Sequence, residues 1–179
     1  EMFLDDGMPA ISVFWGETVD RIPRTRRSHP SIEAAAWANH GLTRHTYECV
    51  PALGEHIIRQ SMAEGFDVAQ LRRQPENRGI GHAFNFVQTR LMKDKPIPMV
   101  PITLNTYYPP NQPTPARCLA FGKTLKQAIE SWDENARVAV VASGGLTHFA
   151  IDEDLDHRVI DALAERDHES LATIPTELL

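Results

Sequence analysis

The sequence predicts an α/β fold, a sandwich of helices around one sheet, and three observations carry that reading. Short apolar runs alternate with helical stretches along the chain. Residues 137–142 (RVAVVA) are continuous and almost wholly apolar, the pattern of a strand covered on both faces. Between residues 50 and 66, Val50, Leu53, Ile57, Ile58 and Met62 recur at helical spacing.

The elements follow in order. Residues 10–15 (AISVFW) read as a strand after the Asp5-Asp6-Gly7 turn. A loop with Pro23 and Pro30 comes next, and Ser28 or Ser31 suits the cap of a short helix through residues 34–37. The helix over 50–66 closes near Gly65, and residues 66–71 read as a short strand. After Asn77-Arg78-Gly79-Ile80-Gly81-His82, the spacing predicts a helix over 83–92. Residues 97–104 form a strand that Pro98 and Pro101 restrict to an edge or a bulge. Four prolines in residues 107–115 make a stiff loop. Thr114-Pro115 then supplies an N-cap and first helical residue for a helix running to about Trp132. Ser143-Gly144-Gly145 breaks the 137–142 strand. Residues 152–166 form an amphipathic helix with Leu155, Val159, Ile160 and Leu163 on one face.

Composition narrows the function. A length of 179 residues fits a single domain over 1–179, and no repeat or internal boundary interrupts it. The net charge of −6 argues against a nucleic-acid or anionic-membrane partner, because phosphate binding needs a basic face. The densest basic run, residues 21–27 with four arginines, reads as a solvated loop, with an anion site as the alternative. Cys49 and Cys118 have no CxxC spacing, so a disulfide framework or zinc site is not expected and a cytoplasmic, reducing compartment fits. No apolar run reaches the roughly 18 residues of a membrane span.

Two histidines stand where chemistry could live. His148 follows the 137–142 strand and Gly144-Gly145, and ligand sites in open α/β sheets gather beyond strand ends. The two glycines would permit a sharp exit and a close backbone approach to a ligand. A histidine there can exchange protons near neutral pH. His82 sits at a helix start behind Gly79 and Gly81, without the GxGxxG or P-loop lysine of a nucleotide site. Both positions equally suit a histidine that satisfies local carbonyls. If instead the two serve one ligand, their rings must open onto one cleft. His40, His45 and His56 form no HxH or HExxH spacing, and His157 and His168 lie among carboxylates on solvated helices. The run Asp152-Glu153-Asp154 reads as helix-start carboxylates, and Ser143 lacks the GxSxG context of a hydrolase nucleophile.

Three segments together resemble the class III extradiol dioxygenases of the LigB superfamily: GIGHAFNFV at 79–87, PMVPITLNTYYPPNQPTPARC at 98–118 and VVASGGLTHF at 140–149. The helical run after His148 is also similar to the family's, and the likeness is weakest over residues 17–47. The resemblance implies a three-layer sandwich around one mixed sheet. It implies an enzyme that opens a catechol-type ring beside its two hydroxyls, using non-haem Fe(II) and both atoms of O2. His148 matches the family's acid/base histidine, and His82 a second histidine that contacts substrate or oxygen. Thr147 stands where many relatives have Ser, which makes it a substrate-binding candidate. The family's iron is held by two histidines and a glutamate, and all three are expected outside this chain. The chain would then be an internal piece of the catalytic domain. The partners implied are a small aromatic diol and O2, with a homo-oligomer or a small accessory subunit possible in the family's pattern. The alternative is a non-catalytic LigB-fold relative that acts as a binding or interaction protein.

Overall fold

The computed structural model describes residues 8–23, 43–93, 95–147 and 150–179. Among them are five strands: β1 Ile11–Phe14, β2 Thr18–Arg21, β3 His45–Glu48, β4 Ala69–Leu71 and β5 Ile102–Leu104. The helices are α1 Pro51–Ala63, α2 His82–Phe86, α3 Pro115–Glu130, α4 Glu153–Glu165 and α5 His168–Ala172. A π-helical turn, Val87–Leu91, continues α2, and a 3-10 turn covers Thr176–Leu178.

The fold is mixed α/β. One sheet has the order β4-β1-β5, with β4 parallel and β5 antiparallel to the central β1. Strand β1 is buried along its whole length, so its apolar run holds the centre. Strand β5 takes an edge, as Pro98 and Pro101 require, and upstream of it Met99 makes a single parallel bridge to Cys49. A second sheet pairs β2 with β3 antiparallel, with Val19 opposite Tyr47 and Arg21 opposite His45. The sequence reading missed this pair, because TVDR and HTYE carry no apolar run.

Side chains alternate across β1, and the core follows from that. Val13 meets Leu53, Ile57 and Ile58 of α1 and Ala128 of α3. Ile11, on the same side, packs with Phe66 and Phe121, whose rings meet edge-on at 5.4 Å between centroids. Phe14 turns the other way, to Val19 and Tyr47 of the second sheet. Each buried Val, Leu, Ile or Phe contributes about 1.5–3 kcal/mol. Met62, expected on the inner face of α1, is instead 58% exposed at the helix's last turn. The helix ends at Glu64, and Gly65 takes φ +78°, the left-handed step that glycine makes without strain.

Helix α3 begins as its sequence predicts: Thr114 caps it by accepting from the Arg117 N–H, and Pro115 is its first residue. Asp152 caps α4 by accepting from the Leu155 N–H at 3.0 Å. Two expectations are corrected here. Residues 137–142 form no strand: they are irregular and exposed, with Val140 66% accessible. Their apolar character signals a need for cover, yet neither edge of the three-stranded sheet receives them. On α4, Leu155 and Ala162 are buried while Ile160 and Leu163 are exposed, because α5 covers only part of the apolar face. No helix among the described residues is long and apolar enough to cross a membrane.

Candidate active site

His82 opens α2, with Gly81 as N-cap in extended backbone, and its side chain lies in an exposed position. What places it is the chain just before it. The Ile80 N–H donates to the Asp20 carbonyl of β2 at 2.9 Å. Gly79 passes so close to β2 that an added Cβ would sit 2.6 Å from the Ile22 nitrogen. Close approach to the protein's own backbone therefore requires this glycine. A Cβ on Gly81 or on Gly144 would meet nothing within 4 Å, so neither serves a tight contact in this structure.

Beneath α2 lies a buried polar layer. Arg21, only 7% exposed, donates through Nη1 to the Tyr47 hydroxyl at 3.1 Å and to Asn85 Oδ1 at 3.5 Å. Its Nε donates to the Thr43 carbonyl at 3.0 Å and its Nη2 to the Thr43 hydroxyl at 3.2 Å. The solvated-loop reading thus fails for Arg21, which strand alternation turns inward against Tyr47 and Asn85. The rest of the arginine run, residues 24–27, lies outside the described residues. Asn85 is fully buried and Gln88, on the π-helical turn, is 1% exposed. Gln88 donates to the Met99 sulfur at 3.4 Å, while its Oε1 is buried without a partner among the described residues. These inward polar groups were not singled out from the sequence. The signal available was Asn85 and Gln88, three apart and so on one face of the expected helix.

The loop before His148 comes to the same place. The Ser143 hydroxyl donates to the Ala83 carbonyl at 2.9 Å, and Ala83 is the residue next to His82. At the loop's other end the Thr147 hydroxyl donates to Asp156 Oδ2, on the first turn of α4, at 2.7 Å. Thr147 is half-buried. His148 itself lies outside the described residues, as do Phe149 and His40. The structure thus brings the neighbour of His82 against the segment that leads to His148, across a sequence separation of 60.

The other histidines among the described residues stand apart from this contact. His45 stacks on Tyr47 with centroids 4.5 Å apart, and His56 bonds the Ser131 hydroxyl at 3.0 Å on the protein surface. His157 and His168 are exposed. Two clefts also lie elsewhere. One of about 680 Å³ is lined by Ile11, Asp67, Asn111, Thr114 and Arg117. The other, about 790 Å³, sits past the carboxyl ends of β1 and β4, lined by Trp15, Asp20, Glu55, Arg72 and Gln74. Arg72 lies over the Trp15 ring, 4.8 Å from its centroid. Neither cleft is lined by His82, Ser143 or Thr147.

Metal chemistry needs ligands that converge. Among the described residues, no three His, Cys, Asp or Glu side chains cluster closely enough to hold an ion. The described residues do not by themselves fit an iron site. Both cysteines are half-buried free thiols whose burial raises their pKa, Cys49 to about 11, so neither is primed as a thiolate ligand or nucleophile.

These features define a mixed α/β domain in which a histidine-bearing helix start and a Gly-Gly loop are drawn together. Residues 41–178 match the family of the catalytic LigB subunit of aromatic ring-opening dioxygenases, and the chain belongs to that family. It is also similar to the gallate dioxygenase of Pseudomonas putida, 36% identical over 99 residues. That match covers 54% of this chain and 28% of the relative, so the chain spans under a third of that protein's length.

Proposed function

We propose that this chain forms the proton-handling wall of an extradiol ring-cleavage dioxygenase, one that opens a catechol-type ring beside its hydroxyls with O2 and non-haem Fe(II). Membership of the LigB family supports the class of reaction. The observation that carries the reading is the Ser143–Ala83 hydrogen bond, which joins the segment leading to His148 to the residue beside His82. The bound iron would supply the activation of O2 and substrate. His148 would take the proton from a substrate hydroxyl and later return one to the opening ring. His82 would hold a substrate or oxygen atom by hydrogen bonding. A positioned acid/base group of this kind is worth about 10²–10⁴ in rate.

The test uses the chain together with the segments that supply the family's two histidines and glutamate, loaded anaerobically with Fe(II) and given a panel of dihydroxylated aromatic acids, with O2 uptake and product mass as readouts. The expected product carries both atoms of labelled O2 and is cleaved beside, not between, the hydroxyls. His148→Ala should cut turnover by about 10²–10⁴ and distort the pH–rate profile. His82→Gln should lower turnover less severely and raise KM. Tight binding of a catechol without O2 uptake would favour the non-catalytic binding protein. Turnover that survives His148→Ala would remove that histidine from the mechanism.

A further inference from the structure

Residues 137–147 carry no backbone hydrogen bond among the described residues, and most of them are exposed. A segment so loosely held by its own backbone needs other ties to keep one path. Two side-chain hydroxyls do hold it. Ser143 ties the start of the Gly144-Gly145 turn to Ala83 of α2 at 2.9 Å, and Thr147 ties its end to Asp156 of α4 at 2.7 Å. Both partners are themselves anchored. Helix α2 sits on the buried Arg21–Tyr47–Asn85 layer, and α4 is capped by Asp152 and buried through Leu155, adjacent to Asp156. The Thr147 bond has a carboxylate as acceptor, the stronger kind of hydrogen bond.

We propose that Ser143 and Thr147 are positioning residues, a pair of hydroxyl clamps that set the loop before His148 against the start of α2, with Asp156 as the second clamp's acceptor. This rests on the reading that His82 and His148 share one site. It assigns Thr147 a role through Asp156 rather than through substrate. Without the clamps the Gly-Gly segment would sample many conformations, because glycine restricts the backbone least. A misplacement of about 1 Å at a reacting group can cost about 10²-fold in rate.

The test follows ring signals of isotope-labelled histidine by NMR in the full chain, without metal or substrate. His82 and His148 are assigned by their glutamine variants. Ser143→Ala should shift or broaden the signals of both histidines, and Thr147→Ala mainly that of His148. Thr147→Ser and Ser143→Thr, which keep the hydroxyl, should restore the wild-type spectrum. Thr173→Ala, which removes a hydroxyl bonded to Glu169 on α5, is the control and should move neither signal. Asp156→Ala breaks the second clamp from its other side and serves if Thr147→Ala does not fold. In turnover, both alanine variants should lose about 10-fold or more in kcat with KM within about two-fold. Unmoved ring signals in both alanine variants would overturn the clamp. So would a Thr147→Ser spectrum no closer to wild type than that of Thr147→Ala. If the wild type opens no ring at all, the proposed reaction fails, and the spectra still decide the clamp.

Discussion

Gln74 pairs with Asp20 as a neighbouring strand would: its Nε2 donates to the Asp20 carbonyl at 2.9 Å, and its Oε1 accepts from the Asp20 N–H at 2.7 Å. Its carboxamide also bonds the Arg78 carbonyl. One side chain thereby stitches the loop between β4 and α2 onto the edge of β2 that β3 leaves open. That stitch, with the Ile80 N–H on the same Asp20 carbonyl, sets where α2 and His82 begin.

Breaking the stitch should be costly. Gln74→Ala leaves the Asp20 N–H without its partner, and an unmade hydrogen bond at a half-buried group costs about 1–3 kcal/mol. Urea unfolding should show a loss of that size, and the Ile80 amide should exchange faster with solvent. An unchanged midpoint together with an unchanged exchange rate would mean that the loop is held by other contacts.

The glycines before His82 should separate cleanly. Gly79→Ala puts a methyl group 2.6 Å from the Ile22 nitrogen, so the loop must move off β2, and overpacking of this kind costs about 1–3 kcal/mol. Gly81→Ala meets open space and should stay within about 0.5 kcal/mol of wild type. A reversed order in thermal melts would contradict the described path of the loop.

Asp20 should make stability depend on acid. A hydrogen bond from Thr46 Oγ1 at 2.7 Å, followed by the Arg44 guanidinium, holds its carboxyl below the usual carboxylate range. The folded state therefore binds this proton less readily than the unfolded chain. Its stabilisation is fully present above the unfolded pKa of about 3.9 and fades as pH falls through the lower folded value. The gap in denaturation midpoint between wild type and Asp20→Asn should be widest near pH 7 and close in acid. It should also narrow in high salt, since Arg44 is well exposed. A gap independent of pH between 2 and 7 would show that the charge plays no part.

Cys49 should be a slow thiol until the protein unfolds. Burial raises its pKa to about 11 from the ordinary 9.0, so native thiolate at pH 8 is scarcer by roughly 100-fold. Alkylation by iodoacetamide, read by peptide mass, should be correspondingly slow in buffer and fast in urea. Equal rates in the two conditions would place the thiol at the surface.

Local chemistry made a good part of this architecture legible. Thr114-Pro115 announces the start of α3, Asp152 that of α4, and Gly65 the end of α1, because caps and turns act within a few residues. The apolar run at residues 10–15 marks the central strand, and of the expected strand over 97–104 only Ile102–Leu104 forms, at an edge of the sheet. The motifs around His82 and at residues 140–149 pointed to the family that the chain belongs to.

Other features were decided only by tertiary structure. Strands β2 and β3 have little local signal and exist through each other, since a strand's backbone groups need a partner that its own residues cannot supply. The RVAVVA run shows the converse: apolar side chains ask for cover, but only a sheet edge at the right place makes a strand, and none receives this segment. Arg21 looked like surface charge and is buried, because Tyr47 and Asn85 arrive from 26 and 64 positions away. The contact of Ser143 with Ala83 likewise spans 60 positions. From the sequence one could name His82 and the loop to His148 as candidates. Their neighbourhood depended on hydrogen bonds between distant segments, which no local pattern encodes.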